Sequence, residues 1–141
     1  MCYALEEERA LFTGDHVMGW STTVIVPPDG DMTDYMASLE KLLARDFIAL
    51  WPTHGPPITD PQPFLRALIA HRQEREAQVL RCLNDGVTHI PKMVERIYAD
   101  VDKRLHPAAA LSVLAHLQKL IREGRAHTDN LASLSAVFAP R

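Results

Sequence analysis

Leu11-Phe12-Thr13-Gly14-Asp15-His16 and Trp51-Pro52-Thr53-His54-Gly55-Pro56 decide how this chain is read. In each, an apolar run stops at a side chain able to bind a metal, next to a glycine. A strand that ends this way presents its ligand at the rim of a sheet, where α/β folds bind their ligands. Asp15 and His54 stand 39 positions apart, and the residues between them have to form the layer that joins the two ends.

That interval reads as β-type sequence, a turn, a helix and a second strand. Ser21-Thr22-Thr23-Val24-Ile25-Val26 is a β-rich run, stopped by the turn signal Pro27-Pro28-Asp29-Gly30. Asp31 is placed to cap a helix, and Met32, Tyr35, Met36, Leu39, Leu42 and Leu43 recur at steps of three and four, predicting one apolar stripe to about Ala44. Phe47-Ile48-Ala49-Leu50-Trp51 is a continuous apolar run, read as a strand buried on both faces and ended by Pro52. Strand, helix and strand make a βαβ-like layer with Asp15 and His54 just beyond two strand ends.

Upstream, Cys2-Tyr3-Ala4-Leu5 and Ala10-Leu11-Phe12-Thr13 form a hairpin across Glu6-Glu7-Glu8-Arg9. Nothing ahead of the first strand covers its edge, and exposed edges are normally protected. The segment reads as the back part of a larger sheet, and self-association through the first strands, or their covering by the tail, is expected.

Downstream, Thr59-Asp60-Pro61 opens a long helix over 61–83. Its ends carry apolar faces, while His71-Arg72-Gln73-Glu74-Arg75-Glu76 is charged all round, as suits a connector. Beyond Asn84-Asp85-Gly86 the rhythm changes. Ile90-Pro91 begins a short helix with Met93, Val94, Ile97 and Tyr98 apolar, and His106-Pro107 begins a longer one with Leu111, Val113, Leu114, Leu117, Leu120 and Ile121. Gly124 closes it, and Arg125-Ala126-His127 reads as a short strand. Helix, turn, helix and strand outline a winged helix. Asn130 to Arg141 carry no firm signal.

Composition sets the outer bounds. The chain has 141 residues, 47% hydrophobic and 23% charged, which is globular rather than disordered sequence. No apolar run approaches a membrane span, and the acidic N-terminus has no signal-peptide pattern. Two cysteines, Cys2 and Cys82, make neither a disulfide framework nor a zinc ribbon. A reducing cytoplasm is the expected location. Residues 1–66 hold ten acids against four bases, whereas residues 92–127 hold four acids against seven bases, so the front is acidic and the back mildly basic.

LFTGDHVMG followed by PTHGP resembles the second half of a metallo-β-lactamase-fold hydrolase. HRQEREAQVL and IYADVDKRLHPAAALSVLAHLQKLIREGRA resemble the branch with a winged-helix tail, which includes β-lactamase-like proteins and endoribonucleases. The resemblance implies the second half of an αββα sandwich followed by a mainly α winged-helix domain. Expected boundaries are 1–60 for the metallo-β-lactamase-like part, 61–84 for the connecting helix and 85–141 for the winged helix.

By the same resemblance, Asp15 matches the aspartate that bridges two metal ions, and His54 matches the last histidine ligand of the second metal. The family's HxHxDH motif and its later histidine are not in this chain. The complete family site holds two zinc ions, or other divalent metals, whose hydroxide attacks an ester, thioester, amide or phosphodiester. With only Asp15 and His54 the isolated chain is expected to be inactive and to hold zinc poorly, since catalytic zinc has three protein ligands. The substrate implied for the complete enzyme is a small molecule or RNA.

The remaining candidates have two readings each. His16 reads as a surface histidine, or one that supports the ligands from behind, rather than as a ligand. His71 and Arg72, with Arg75, could orient substrate phosphates, and as salt links they would lock a helix onto its neighbour, the reading preferred here. Lys119, Arg122 and Arg125 could follow a nucleic-acid backbone, giving weak nonspecific contact. The second helix of the tail is mostly Ala, Leu and Val up to Leu117, which argues against base readout and for packing. The alternative to a hydrolase is therefore a non-catalytic winged-helix module for protein or nucleic-acid contact.

Overall fold

The computed structural model describes residues 1–129 and 132–141. Its elements are β1 (Tyr3–Leu5), β2 (Ala10–Gly14), α1 (Met32–Leu43), β3 (Ala49–Pro52), α2 (Pro61–Asn84), α3 (Ile90–Ile97), α4 (His106–Arg122), β4 (Ala126–His127) and β5 (Ala139–Pro140), with a 3-10 turn at Lys103–Leu105. They form two compact units, residues 1–23 with 36–71 and residues 24–35 with 72–141. No helix among the described residues is long and apolar enough to cross a membrane.

The first unit is organised by side-chain alternation in β2 and β3. Its sheet has the order β1-β2-β3, with β1 antiparallel and β3 parallel to β2, so the hairpin and the βαβ crossover read from the sequence are both present. Along β2, Leu11 and Thr13 are buried and Phe12 is exposed, while in β3 Leu50 is buried and Trp51 exposed. One face therefore carries the core, with Val17, Leu39, Phe47, Ile58 and Leu65 also buried in this unit. The opposite face shows an uncovered aromatic row, because Tyr3 is registered with Phe12 and Phe12 with Trp51.

Two expectations fail here. The run 47–51 is not a strand buried on both faces. The strand begins at Ala49, and Ile48 and Trp51 are exposed because only one side of the sheet is covered. Residues 21–26 are not a strand at all. Val24 and Val26 are exposed and only Ile25 is buried, so β-branched composition finds no neighbouring strand to pair with.

Local signals place α1 and the tail well. The Asp31 carboxylate accepts the backbone N–H of Thr33 at 2.8 Å and of Asp34 at 3.1 Å, the cap expected before α1. In the second unit Val79, Leu83, Ile90, Met93, Val113, Leu117, Leu120 and Phe138 form one buried cluster. β4 and β5 pair antiparallel as the wing after α4. Within the unassigned stretch 130–141, residues 130 and 131 lie outside the described residues. Phe138, by contrast, is fully buried, and its N–H donates to the Thr88 carbonyl at 2.9 Å.

The same unit buries an ionic group. Glu76 on α2 lies 3.0 Å from Lys119 Nζ and 3.5 Å from Nδ1 of the buried His116, both on α4. Burial works to raise the Glu76 carboxyl, but the adjacent His116 ring and Lys119 ammonium outweigh it and hold the pKa below the ordinary value. Burial lowers the His116 pKa, and Glu76 only partly opposes this.

Because folding holds His116 neutral, unfolding takes up a proton once the pH falls below the unfolded value of about 6.5. Stability from this residue is thus present above that pH and lost beneath it, in a window above carboxylate titration. The thermal midpoint should fall between about pH 7.5 and about pH 5.5, and His116→Leu should flatten that slope. A residual slope of the same sign is expected from His16, whose pKa burial also lowers. Separately, Phe138→Ala should cost about 3–5 kcal/mol in denaturant unfolding.

Candidate functional site

The parallel pairing of β2 and β3 sends both strands out at the same end of the sheet. Their register is Ala10 with Ala49, Leu11 with Leu50 and Phe12 with Trp51, then skips to Gly14 with Pro52. Thr13 is the residue passed over. Such a bulge bends a strand and re-aims the residues beyond it. Thr13 is fully buried, and its hydroxyl donates to the Val17 carbonyl at 2.8 Å, closing a short loop around Asp15 and His16. The His16 N–H adds a bond to the Thr13 carbonyl at 3.1 Å.

The second strand end is closed as tightly. After β3 the chain turns through 53–57 and returns antiparallel at Ile58, which exchanges two backbone bonds of 2.9 Å with Leu50. Two further backbone bonds stitch the loops to each other. Thr53 N–H donates to the Gly14 carbonyl and Gly19 N–H to the His54 carbonyl, each at 3.0 Å. Glycine is needed for this approach. A Cβ at residue 19 would lie 2.3 Å from the Pro56 carbonyl oxygen, and one at residue 55 would lie 2.5 Å from the Trp20 ring, with Gly55 at φ +94°.

The result is direct contact between the two residues picked from the sequence. His54 Nδ1 lies 2.6 Å from Asp15 Oδ1, and both side chains are more than half exposed. The ring nitrogen donates and the carboxylate accepts, so in the neutral ring Nε2 carries the lone pair. A nitrogen and a carboxylate oxygen are donor types that suit zinc. Among the described residues, however, no three His, Cys, Asp or Glu side chains converge on one point. The donor chemistry of the pair fits a metal.

The other candidates sit elsewhere. His16 faces Ser38, with Nε2 2.9 Å from the hydroxyl, and burial is the main cause of its lowered pKa. His71 is exposed on α2, at the wall of a groove formed with residues 19–22. Arg72 is buried with its guanidinium 5.3 Å from the Tyr35 ring centroid, and Arg75 lies 4.6 Å from that of Tyr98. Lys119, Arg122 and Arg125 all have carboxylate neighbours. Lys119 contacts Glu76 and Glu123, Arg122 pairs with Asp31, and Arg125 approaches Glu76 and Glu123.

Thr13, Gly19 and Trp20 build this region without having been singled out from the sequence. The available signals were a polar residue inside the apolar run before Gly14, and a glycine next to an exposed tryptophan.

Comparison with known proteins places the fold. Residues 90–131 match the model of the beta-lactamase associated winged helix domain. The chain is 34% identical over 122 residues to the beta-lactamase-like protein 2 homolog of Caenorhabditis elegans, covering 85% of this chain and 40% of that protein. It is 35% identical over 83 residues to an atrochrysone carboxyl ACP thioesterase of Claviceps purpurea, covering 59% of this chain and 26% of that one. A metallo-beta-lactamase family protein from Thermus thermophilus superposes with a TM-score of 0.82 at 23% identity, over 99% of this chain and 44% of its own. The chain thus spans about two fifths of the length of the relatives that match most of it.

The stitching can be tested at its tightest point. Gly19→Ala should push the Pro56 carbonyl away and break the bond to His54. Amide exchange at residues 19 and 53 should accelerate by about tenfold, equivalent to losing roughly one backbone hydrogen bond. Unchanged protection at both amides would show that the loops are held by other means.

Proposed function

We propose, from a chain that carries the C-terminal part of a metallo-β-lactamase fold with its winged-helix tail, that this protein is one portion of a metal-dependent hydrolase and contributes two ligands, Asp15 and His54. The contact of 2.6 Å between these two side chains at neighbouring parallel strand ends is the observation that carries the reading. Zinc is the metal that the donor pair favours, and bound divalent cations supply Lewis-acid activation of water for attack on an acyl or phosphoryl centre. This chain's own residues hold the donors in place. The Asp15 carboxylate fixes the His54 ring by accepting from Nδ1, and Thr13 with the glycine-lined loops fixes Asp15. The thioesterase relative favours an ester or thioester as the substrate.

The exposed aromatic row supports the same reading. Tyr3, Phe12 and Trp51 are 65%, 49% and 46% exposed on the sheet face opposite the core. A sheet with one apolar face uncovered is half of a layered architecture. The remainder of the fold is the fitting cover, and in its absence two copies of this chain would cover each other. Sedimentation should show self-association that Trp51→Ser weakens. The tail serves packing, in keeping with the burial of Ala109, Val113, Leu114, Leu117 and Leu120 on α4.

The decisive experiment is complementation. Alone, the dialysed chain should hold well below one zinc per molecule and should not hydrolyse a thioester. Mixed with zinc and the remaining part of the C. elegans relative, it should gain activity that Asp15→Ala or His54→Ala reduces by about a hundredfold or more. Near-stoichiometric zinc on the isolated chain, removed by Asp15→Ala, would overturn the half-site reading. Complementation that ignores both substitutions would remove these residues from the site.

A further inference from the structure

A groove of about 320 Å³ lies between the loop from Gly19 to Thr22, which is bonded to the backbone of His54, and the first turns of α2. Phe64, Ala67, Leu68 and His71 form its helical wall, at the i, i+3, i+4, i+7 spacing that puts four side chains on one face. The opposite wall is anchored to the candidate ligands at three points. Gly19 N–H holds the His54 carbonyl, the Thr23 hydroxyl donates to the Asp15 carbonyl, and the Trp20 ring lies where a Cβ on Gly55 would stand. Trp20 is nevertheless 73% exposed, so a large aromatic surface stays open next to Gly55.

We infer that this groove is a binding site for the apolar, ring-bearing acyl end of an ester or thioester, whose carbonyl is thereby directed at Asp15 and His54. The inference rests on the hydrolase reading for its direction and on the groove for its ligand class. Three properties select that class. The volume matches a small ring system, at the lower end of ordinary ligand pockets. Trp20 and Phe64 offer aromatic surface, and Leu68 closes the base as a buried aliphatic side chain. No Lys or Arg stands among the lining residues, so the groove lacks the cations that a phosphate backbone requires. The hydroxyls of Ser21 and Thr22 stand on the loop side, where a carbonyl or ring hydroxyl could be received.

The test uses the 141-residue chain and a neutral probe, the N-acetylcysteamine thioester of 2-naphthoic acid, in a titration followed by amide and indole NMR shifts. Saturable shifts are expected at the Trp20 indole and at backbone amides 20–22 and 64–71. Trp20→Ala should weaken binding at least about tenfold, since a stacked ring contributes on the order of 1 kcal/mol or more. Ala67→Trp, which fills the groove from an exposed position, should do the same, while Trp51→Phe on the aromatic sheet face should change nothing. Three results would overturn the inference: shifts confined to residues 3, 12 and 51, equal binding by the Trp20→Ala and Ala67→Trp variants, or an oligouridylate displacing the probe from the same residues. Binding here is read without metal or turnover. A failed groove therefore leaves the complementation result standing, and failed complementation leaves the groove standing.

Discussion

Two backbone hydrogen bonds govern the useful part of this molecule: Thr53 to Gly14 and Gly19 to His54. They join loops that are far apart in sequence, and they form only because the strands leading into them are parallel neighbours. Parallel pairing requires a crossover, and α1 provides it between β2 and β3. Once the crossover is folded, closing the loop ends costs little further chain entropy, because the sheet has already brought them together. Glycine then decides how near they come. Side chains at 19 or 55 would strike Pro56 or Trp20, and the candidate pair would be held apart. A contact of 2.6 Å between two exposed, polar side chains is thus a product of backbone closeness. Their mutual attraction alone, in water, would contribute little.

The second unit obeys a different logic. Its α4 places Ala109, Val113, Leu114, Leu117 and Leu120 in a core with α3 and the wing, and it also buries His116 and part of Lys119 against Glu76. Burying ionic groups costs desolvation, which close partners offset. Lys119, the most enclosed of the basic residues considered for nucleic acid, spends its charge on Glu76 and Glu123. Arg122 and Arg125 have acidic partners as well, so all three basic residues considered for nucleic acid sit beside carboxylates.

How much of this was legible depends on the range of each signal. The Asp31 cap, the apolar stripe of α1, the Pro starts of α2 and α4 and the hairpin are local, and the residues show them directly. Asp15 and His54 were legible as strand ends. Their contact was not, because it depends on the register skip at Thr13. The run 21–26 misled, since β-branched residues mark a strand only when a neighbour is present to pair with. Trp51 misled for a related reason: an unbroken apolar run says that burial is wanted, not which face is covered. Phe138 was missed although Ala136 and Phe138 alternate with exposed Val137, because three residues of period two are too short to stand out.

If Asp15 and His54 are metal ligands as proposed, their contact also explains why two donors alone would hold a cation weakly. At 2.6 Å the ring N–H and the carboxylate satisfy each other. A cation approaching Asp15 competes with that hydrogen bond as well as with water. Two protein donors would offer a small return for breaking it. Each further protein ligand would change the balance by adding a metal bond. On the proposed reading, affinity would therefore rise steeply as further donors are supplied. The hydrogen bond is, on that same reading, a placeholder that keeps the His54 ring oriented toward a metal.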